Sequence, residues 1–137
     1  MNRTELQRRV AGGGVVRGPS PSRREFLRAA EALGLAAFAV DCGGADTKAA
    51  LLRRFAESLR FPEHFGMNLD ALHDSLTDLV MAGPRQGTAL LLEHFEAGGE
   101  GAGRARPRAA ARAVLEVLEG AVRSLAERKL RLTVLVG

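Results

Sequence analysis

The sequence predicts an α/β fold in which a three-stranded parallel sheet is covered by helices. Three observations carry that prediction. Residues 35–42, 87–94 and 131–136 are centred on continuous apolar stretches, the pattern of strands buried on both faces. The segments between them place apolar residues at helical spacing. Each connection is also long enough for a helical crossover, which parallel strands require. At 137 residues the chain is one domain by size and can bury a substantial core.

Residues 1–22 read as a flexible basic arm. They hold Gly12-Gly13-Gly14 and Gly18-Pro19-Ser20-Pro21, carry Arg3, Arg8, Arg9 and Arg17, and show no apolar periodicity. The domain then spans 23–137, with an extra helix over 23–33 ahead of a core at 35–137. Ser22 caps that first helix, Phe26, Leu27, Ala30 and Leu33 share a face, and Gly34 stops it. The run LAAFAVDC follows as the first strand, with pairing expected over 37–42. A second helix is capped by Asp46 or Thr47, carries Leu51, Leu52, Phe55 and Leu59 as its apolar stripe, and is closed off by Pro62.

The third helix takes Asn68 as its cap and turns Leu69, Leu72, Leu76, Leu79 and Val80 to one side. GTALLLEH supplies the second strand, paired over 88–93. The polar connector GGEGAGRARPR, 98–108, lacks the spacing of a dinucleotide fingerprint and the Lys-Ser/Thr of a P-loop. A long helix over 109–128 points Ala113, Val114, Val117, Leu118 and Leu125 inward, and RLTVLV, 131–136, completes the sheet.

Composition narrows the function classes. No apolar run approaches the length of a membrane span. The lone cysteine, Cys42, excludes an internal disulfide, fits a reducing compartment and reads as core filler. Ser22-Arg23-Arg24-Glu25-Phe26-Leu27-Arg28 imitates a twin-arginine export signal. Glu31 interrupts the apolar region that such a signal needs, and cleavage after Ala39 would remove most of the first strand. The expectation is therefore an exposed helix face, a retained N-terminus and a cytoplasmic protein. The basic arm could touch nucleic acid, but without interleaved aromatics a solvated tail is the better reading.

Charge is distributed unevenly. The chain carries +4 overall, yet residues 61–100 hold one cation, Arg85, against Glu63, Asp70, Asp74, Asp78, Glu93, Glu96 and Glu100, a net −6. Three of those carboxylates, Asp70, Asp74 and Asp78, repeat at four-residue intervals along the third helix. Like charges at this spacing repel by about 0.2–0.5 kcal/mol per pair, and a helix N-terminus relieves only Asp70. A merely solvated face would mix signs, so the row points to a partner that relieves it. Asp70, His73 and Asp74 also stand at i, i+3 and i+4, where a helix could present them to a metal. A metal-assisted hydrolase is the rival reading, although no third well-placed ligand or nucleophile is signalled.

The stretch Phe61-Pro62-Glu63-His64-Phe65-Gly66-Met67-Asn68-Leu69-Asp70-Ala71-Leu72-His73-Asp74-Ser75-Leu76-Thr77 closely resembles the signature of the barstar family, intracellular inhibitors of barnase-type ribonucleases. Element order resembles that fold over residues 35–137, most strongly over 61–79. The resemblance implies a barstar-like three-stranded parallel sheet packed with helices, and a helix that plugs a nuclease active site. Asp74 would then occupy the phosphate pocket, Asp70 would support it, and His64, Phe65 and Gly66 would form the approaching loop. Asn68, His73, Thr77 and Asp78 complete the implied surface, with an acidic contact from the last long helix near Glu119 or Gly120. His73 stands where the family has an aromatic before the key aspartate, His64 replaces the first loop tyrosine, and 98–108 reads as an insertion. The implied partner is a secreted barnase-like ribonuclease with a basic active site, held 1:1 by a monomeric inhibitor that protects the cell from its own toxin. No catalysis, cofactor, metal, direct nucleic-acid contact or membrane contact is implied. A barstar-like module for another basic protein is the alternative.

Overall fold

The computed structural model describes residues 1–63, 65–96 and 108–137. Its elements run α1 (Arg3–Ala11), β1 (Gly14–Arg17), α2 (Arg23–Ala32), β2 (Ala36–Asp41), α3 (Lys48–Leu59), α4 (Leu69–Met81), β3 (Thr88–Glu93), α5 (Arg108–Glu127) and β4 (Leu132–Val136). The strands form one sheet in the order β1-β4-β3-β2, and every neighbouring pair is parallel. Four strands are present among the described residues, where the sequence predicts three. Most of the connector expected at 98–108, and His64 of the approaching loop, lie outside the described residues.

Register explains why the central strands are apolar throughout. Val15, Val134, Leu90 and Phe38 lie side by side across the sheet, and the next row is Val16, Leu135, Leu91 and Ala39. Successive side chains point to opposite faces, so the first row faces α3, α4 and α5 while the second faces α1 and α2. Both faces are covered, and β3 and β4 are buried almost end to end. On the larger side, Leu51, Leu52 and Phe55 of α3, Leu72, Leu76 and Val80 of α4, and Val114, Leu118 and Leu125 of α5 share one core. Thr47, rather than Asp46, caps α3 by accepting from the Ala50 amide at 3.0 Å.

The N-terminal segment corrects the expectation of an arm over 1–22. Asn2 caps α1 through the Glu5 amide at 2.9 Å, and Leu6 and Val10 are buried against α2 and the sheet. Gly13 and Gly14, at φ 77° and 86°, turn the chain into β1, where only glycine adopts such angles without strain. Two buried side chains in a nine-residue, otherwise polar helix give too weak a period to be read locally. Their burial comes from α2 and β4, which are distant in sequence.

Ser22 caps α2 as expected. Its hydroxyl accepts from the Glu25 amide at 3.1 Å and donates to the Glu25 carboxylate at 2.9 Å. The buried face, however, is Phe26, Ala29 and Ala30, whereas Leu27 is 38% exposed. Cys42 follows β2 and is buried, outside the strand that was expected to end with it.

Candidate functional site

The acidic helix is approached through a tightly held loop. Arg60 ends α3 in the left-handed region (φ 55°, ψ 47°), and its amide bonds back to the Ala56 carbonyl. The Phe65 amide donates to the Pro62 carbonyl at 2.9 Å, and the Phe61 and Phe65 rings meet at 5.1 Å with a 44° tilt. Both rings pack on the main core, so the loop is anchored by its own aromatics. Gly66 permits a close approach: a Cβ there would lie 3.0 Å from Asn68 Nδ2 and 3.6 Å from Ala71 Cβ. Asn68 uses both ends of its amide. Oδ1 accepts from the Ala71 N–H at 2.8 Å, and Nδ2 donates to the Gly66 carbonyl at 3.2 Å. One side chain therefore starts α4 and ties the loop to it.

Helical spacing then separates two faces of α4. Leu72, Leu76 and Val80 are fully buried, which fixes the rotation of the helix. Asp70, Asp74 and Asp78 consequently project outward, and the Asp74 side chain is 81% exposed. At 1.5 Å rise per residue the three carboxylates repeat about every 6 Å. Among the described residues no Arg or Lys pairs with any of them. Thr77 Oγ1 donates to the Asp74 carbonyl at 3.0 Å, a bond that turns its hydroxyl toward the helix backbone.

His73 lies between α4 and α5. Its Nδ1 is 3.5 Å from Asp74 Oδ1, and its Cδ2 would touch a Cβ at Gly120 at 3.9 Å. That is an ordinary van der Waals distance, so the imidazole lies near Gly120 of α5, and exposed Glu119 is the residue before it. The structure packs α5 against α4, and carries Phe65, Gly66, Asn68, Asp70, His73, Asp74, Thr77 and Asp78 on α4 and the loop before it, while Glu119 is exposed on α5. Asp70, His73 and Asp74 do not form, among the described residues, a group able to hold a metal ion. Met67, at φ 49° and 37% exposed, adds an apolar side chain to the surface between loop and helix. Nothing in the sequence distinguishes it from a core methionine, because its exposure follows from the left-handed turn ahead of the cap.

A second polar cluster stands at the carboxyl ends of β2 and β3. Asp41 Oδ1 accepts from the Gly43 amide at 2.9 Å and lies 3.1 Å from His94 Nδ1, while Arg54 donates to the Asp41 carbonyl at 2.8 Å. The Gly43 amide first, and then His94, hold the Asp41 carboxyl below its ordinary range. Arg23 bonds Glu93 through Nε at 3.0 Å and through a second guanidinium nitrogen. Hydrogen bonding to Glu93 raises the Arg23 pKa further. The first arginine of the twin-arginine lookalike is thus tied to the end of β3, and Arg24 is exposed beside it.

Among the described residues, no helix is long and apolar enough to cross a membrane. Comparison with curated proteins finds no match. A scan against family models matches residues 35–137 to the family described as "Barstar (barnase inhibitor)". The match begins just ahead of β2, so it takes in α3, the loop, α4, β3, α5 and β4 and leaves α1, β1 and α2 outside. Because that match covers most of the chain, this chain belongs to the barstar family.

Proposed function

We propose that this protein inhibits a barnase-type ribonuclease by laying α4 into the enzyme's active site. The carrying observation is the row of Asp70, Asp74 and Asp78, exposed and, among the described residues, without an Arg or Lys partner, on a helix whose other face is locked in the core. A ribonuclease gathers cations to hold the phosphate of its substrate. Carboxylates on a rigid element satisfy the same cations through charge-assisted hydrogen bonds. Asp74, at the middle of the row, takes the phosphate position, and Asp70 supports it from the preceding turn. Asp78 contributes mainly to long-range attraction.

The loop at His64, Phe65 and Gly66 approaches the enzyme rim, with Asn68 holding it in register. His73 and Thr77 border the carboxylates, and Glu119 extends the negative surface onto α5. The interaction blocks a site and performs no reaction, in keeping with a family of inhibitors. The complex is 1:1 and forms in the cytoplasm, before the ribonuclease is secreted. The test is to titrate the protein into barnase and related ribonucleases while following RNA cleavage. Stoichiometric loss of cleavage supports the proposal. Full activity of every such ribonuclease at tenfold excess of the protein, about what a micromolar Kd would already prevent at micromolar enzyme, refutes it.

A further inference from the structure

We propose that the cavity at the amino-terminal ends of β1, β3 and β4 binds a compact oligophosphate anion, inorganic or carried by a nucleotide. Three connections meet there: the glycines between α1 and β1, the α4–β3 loop and the α5–β4 loop. The cavity measures about 580 Å³, the size of a small-ligand site. Arg85, Lys129 and Arg131 line it, and among the described residues no carboxylate does. Three like charges around one concavity repel one another, and an anion seated among them converts that repulsion into attraction.

Helix ends account for only part of this charge. Arg131 donates to the Ala11 carbonyl at the end of α1, at 2.8 Å, and Lys129 lies just past α5, where a cation is favoured. Neither reason extends to Arg85, which sits beyond the last turn of α4, or to the exclusion of carboxylates. Among the described residues neither Arg85 nor Lys129 is ion-paired.

The donors are side chains. The Gly12 and Gly13 amides are committed to the Arg9 carbonyl and to Thr133 Oγ1, so the glycine turn contributes shape and not hydrogen bonds. A Cβ at Gly13 would lie 3.4 Å from Arg131 Cγ, so the stem of that side chain runs past the glycine turn. The open donors are those of Arg85, Lys129, Gln86 and the remaining N–H groups of Arg131. Val122 and Leu130 supply an apolar wall for the carbon part of a ligand. The three cations line one cavity, and among the described residues no aromatic lines it for base stacking. Both features favour a compact oligophosphate over a nucleic-acid strand. The inference is independent of the ribonuclease reading.

The experiment uses the full chain, with sodium pyrophosphate and ADP as probes in calorimetry and thermal melting, and sodium chloride added to match ionic strength. One-to-one, saturable binding of either probe is expected. Arg85→Ala and Lys129→Ala should each weaken it at least about tenfold, the loss of one charge-assisted bond, and the double variant should abolish it. ADP bound more tightly than pyrophosphate identifies a nucleotide as the ligand; equal binding identifies the anion alone. The proposal is overturned if neither probe binds beyond the matched salt, if the double variant binds as the wild type does, or if only single-stranded RNA binds.

Discussion

Phe26→Ala tests whether the N-terminal segment is part of the domain. Phe26 is 0% exposed and lies in a cluster with Leu6, Val10, Ala29, Ala89, Leu91 and Leu135, so its ring joins α1, α2 and the face of the sheet turned away from α4. Removing a fully buried phenyl ring leaves a cavity that surrounding helices fill only in part, at a cost of about 3–5 kcal/mol. An unfolding entropy of roughly 2.1 cal/mol/K per residue gives a chain of this length a loss of roughly 3.5 °C per kcal/mol, or about 10–17 °C in Tm. The assay is urea unfolding followed by far-UV circular dichroism, with the midpoint and slope compared to wild type. Ribonuclease inhibition below the variant's transition should be unchanged, because the acidic row lies on the other side of the sheet. A midpoint within about 0.5 kcal/mol of wild type, the usual scatter of surface changes, would show that the cluster adds nothing and that residues 1–34 behave as an arm.

Asp74→Ala should weaken ribonuclease binding by about 2–5 kcal/mol, mainly through faster dissociation, a general range for truncated interfacial charge pairs to which barnase and barstar themselves contributed. Asp78→Ala should chiefly slow association in a salt-dependent way, as stopped-flow mixing at two ionic strengths would show. Asn68→Ala removes the α4 cap and the tether to Gly66, so about 0.5–2 kcal/mol of stability should be lost, measured by urea midpoint. Asp41, held below its ordinary range by the Gly43 amide and His94, contributes stability that is fully present above its unfolded pKa. That contribution disappears as pH falls through the lower folded value. Asp41→Asn should therefore flatten the loss of stability below about pH 4, and an unchanged pH profile would rule out this source.

The acidic helix was more legible than the molecule that carries it. Asn68, the Leu72-Leu76-Val80 stripe and the aspartate row are local signals: a cap contacts an amide three residues on, and faces repeat every three or four residues. The three apolar strands were legible for a similar reason, since each is a short and mostly apolar run of neighbouring residues. The β1 strand was not, because four residues containing one glycine and one arginine become a strand only when β4 offers an edge. Leu27 failed for a related reason. It lies beside Phe26 on a plausible stripe, but α1 and the sheet decide which side of α2 is covered.

By itself, then, the sequence determined the α/β class, the capped acidic helix and its family signature, all encoded in residues a few positions apart. Only tertiary structure decided the strand order, the second helical layer, the placing of His73 near Gly120 and the meeting of Arg85, Lys129 and Arg131 around one cavity. Those features depend on residues tens of positions apart being brought together. What joins them is the shared burial of apolar surface on both faces of the sheet, a non-directional force that leaves no local pattern at the sites it creates.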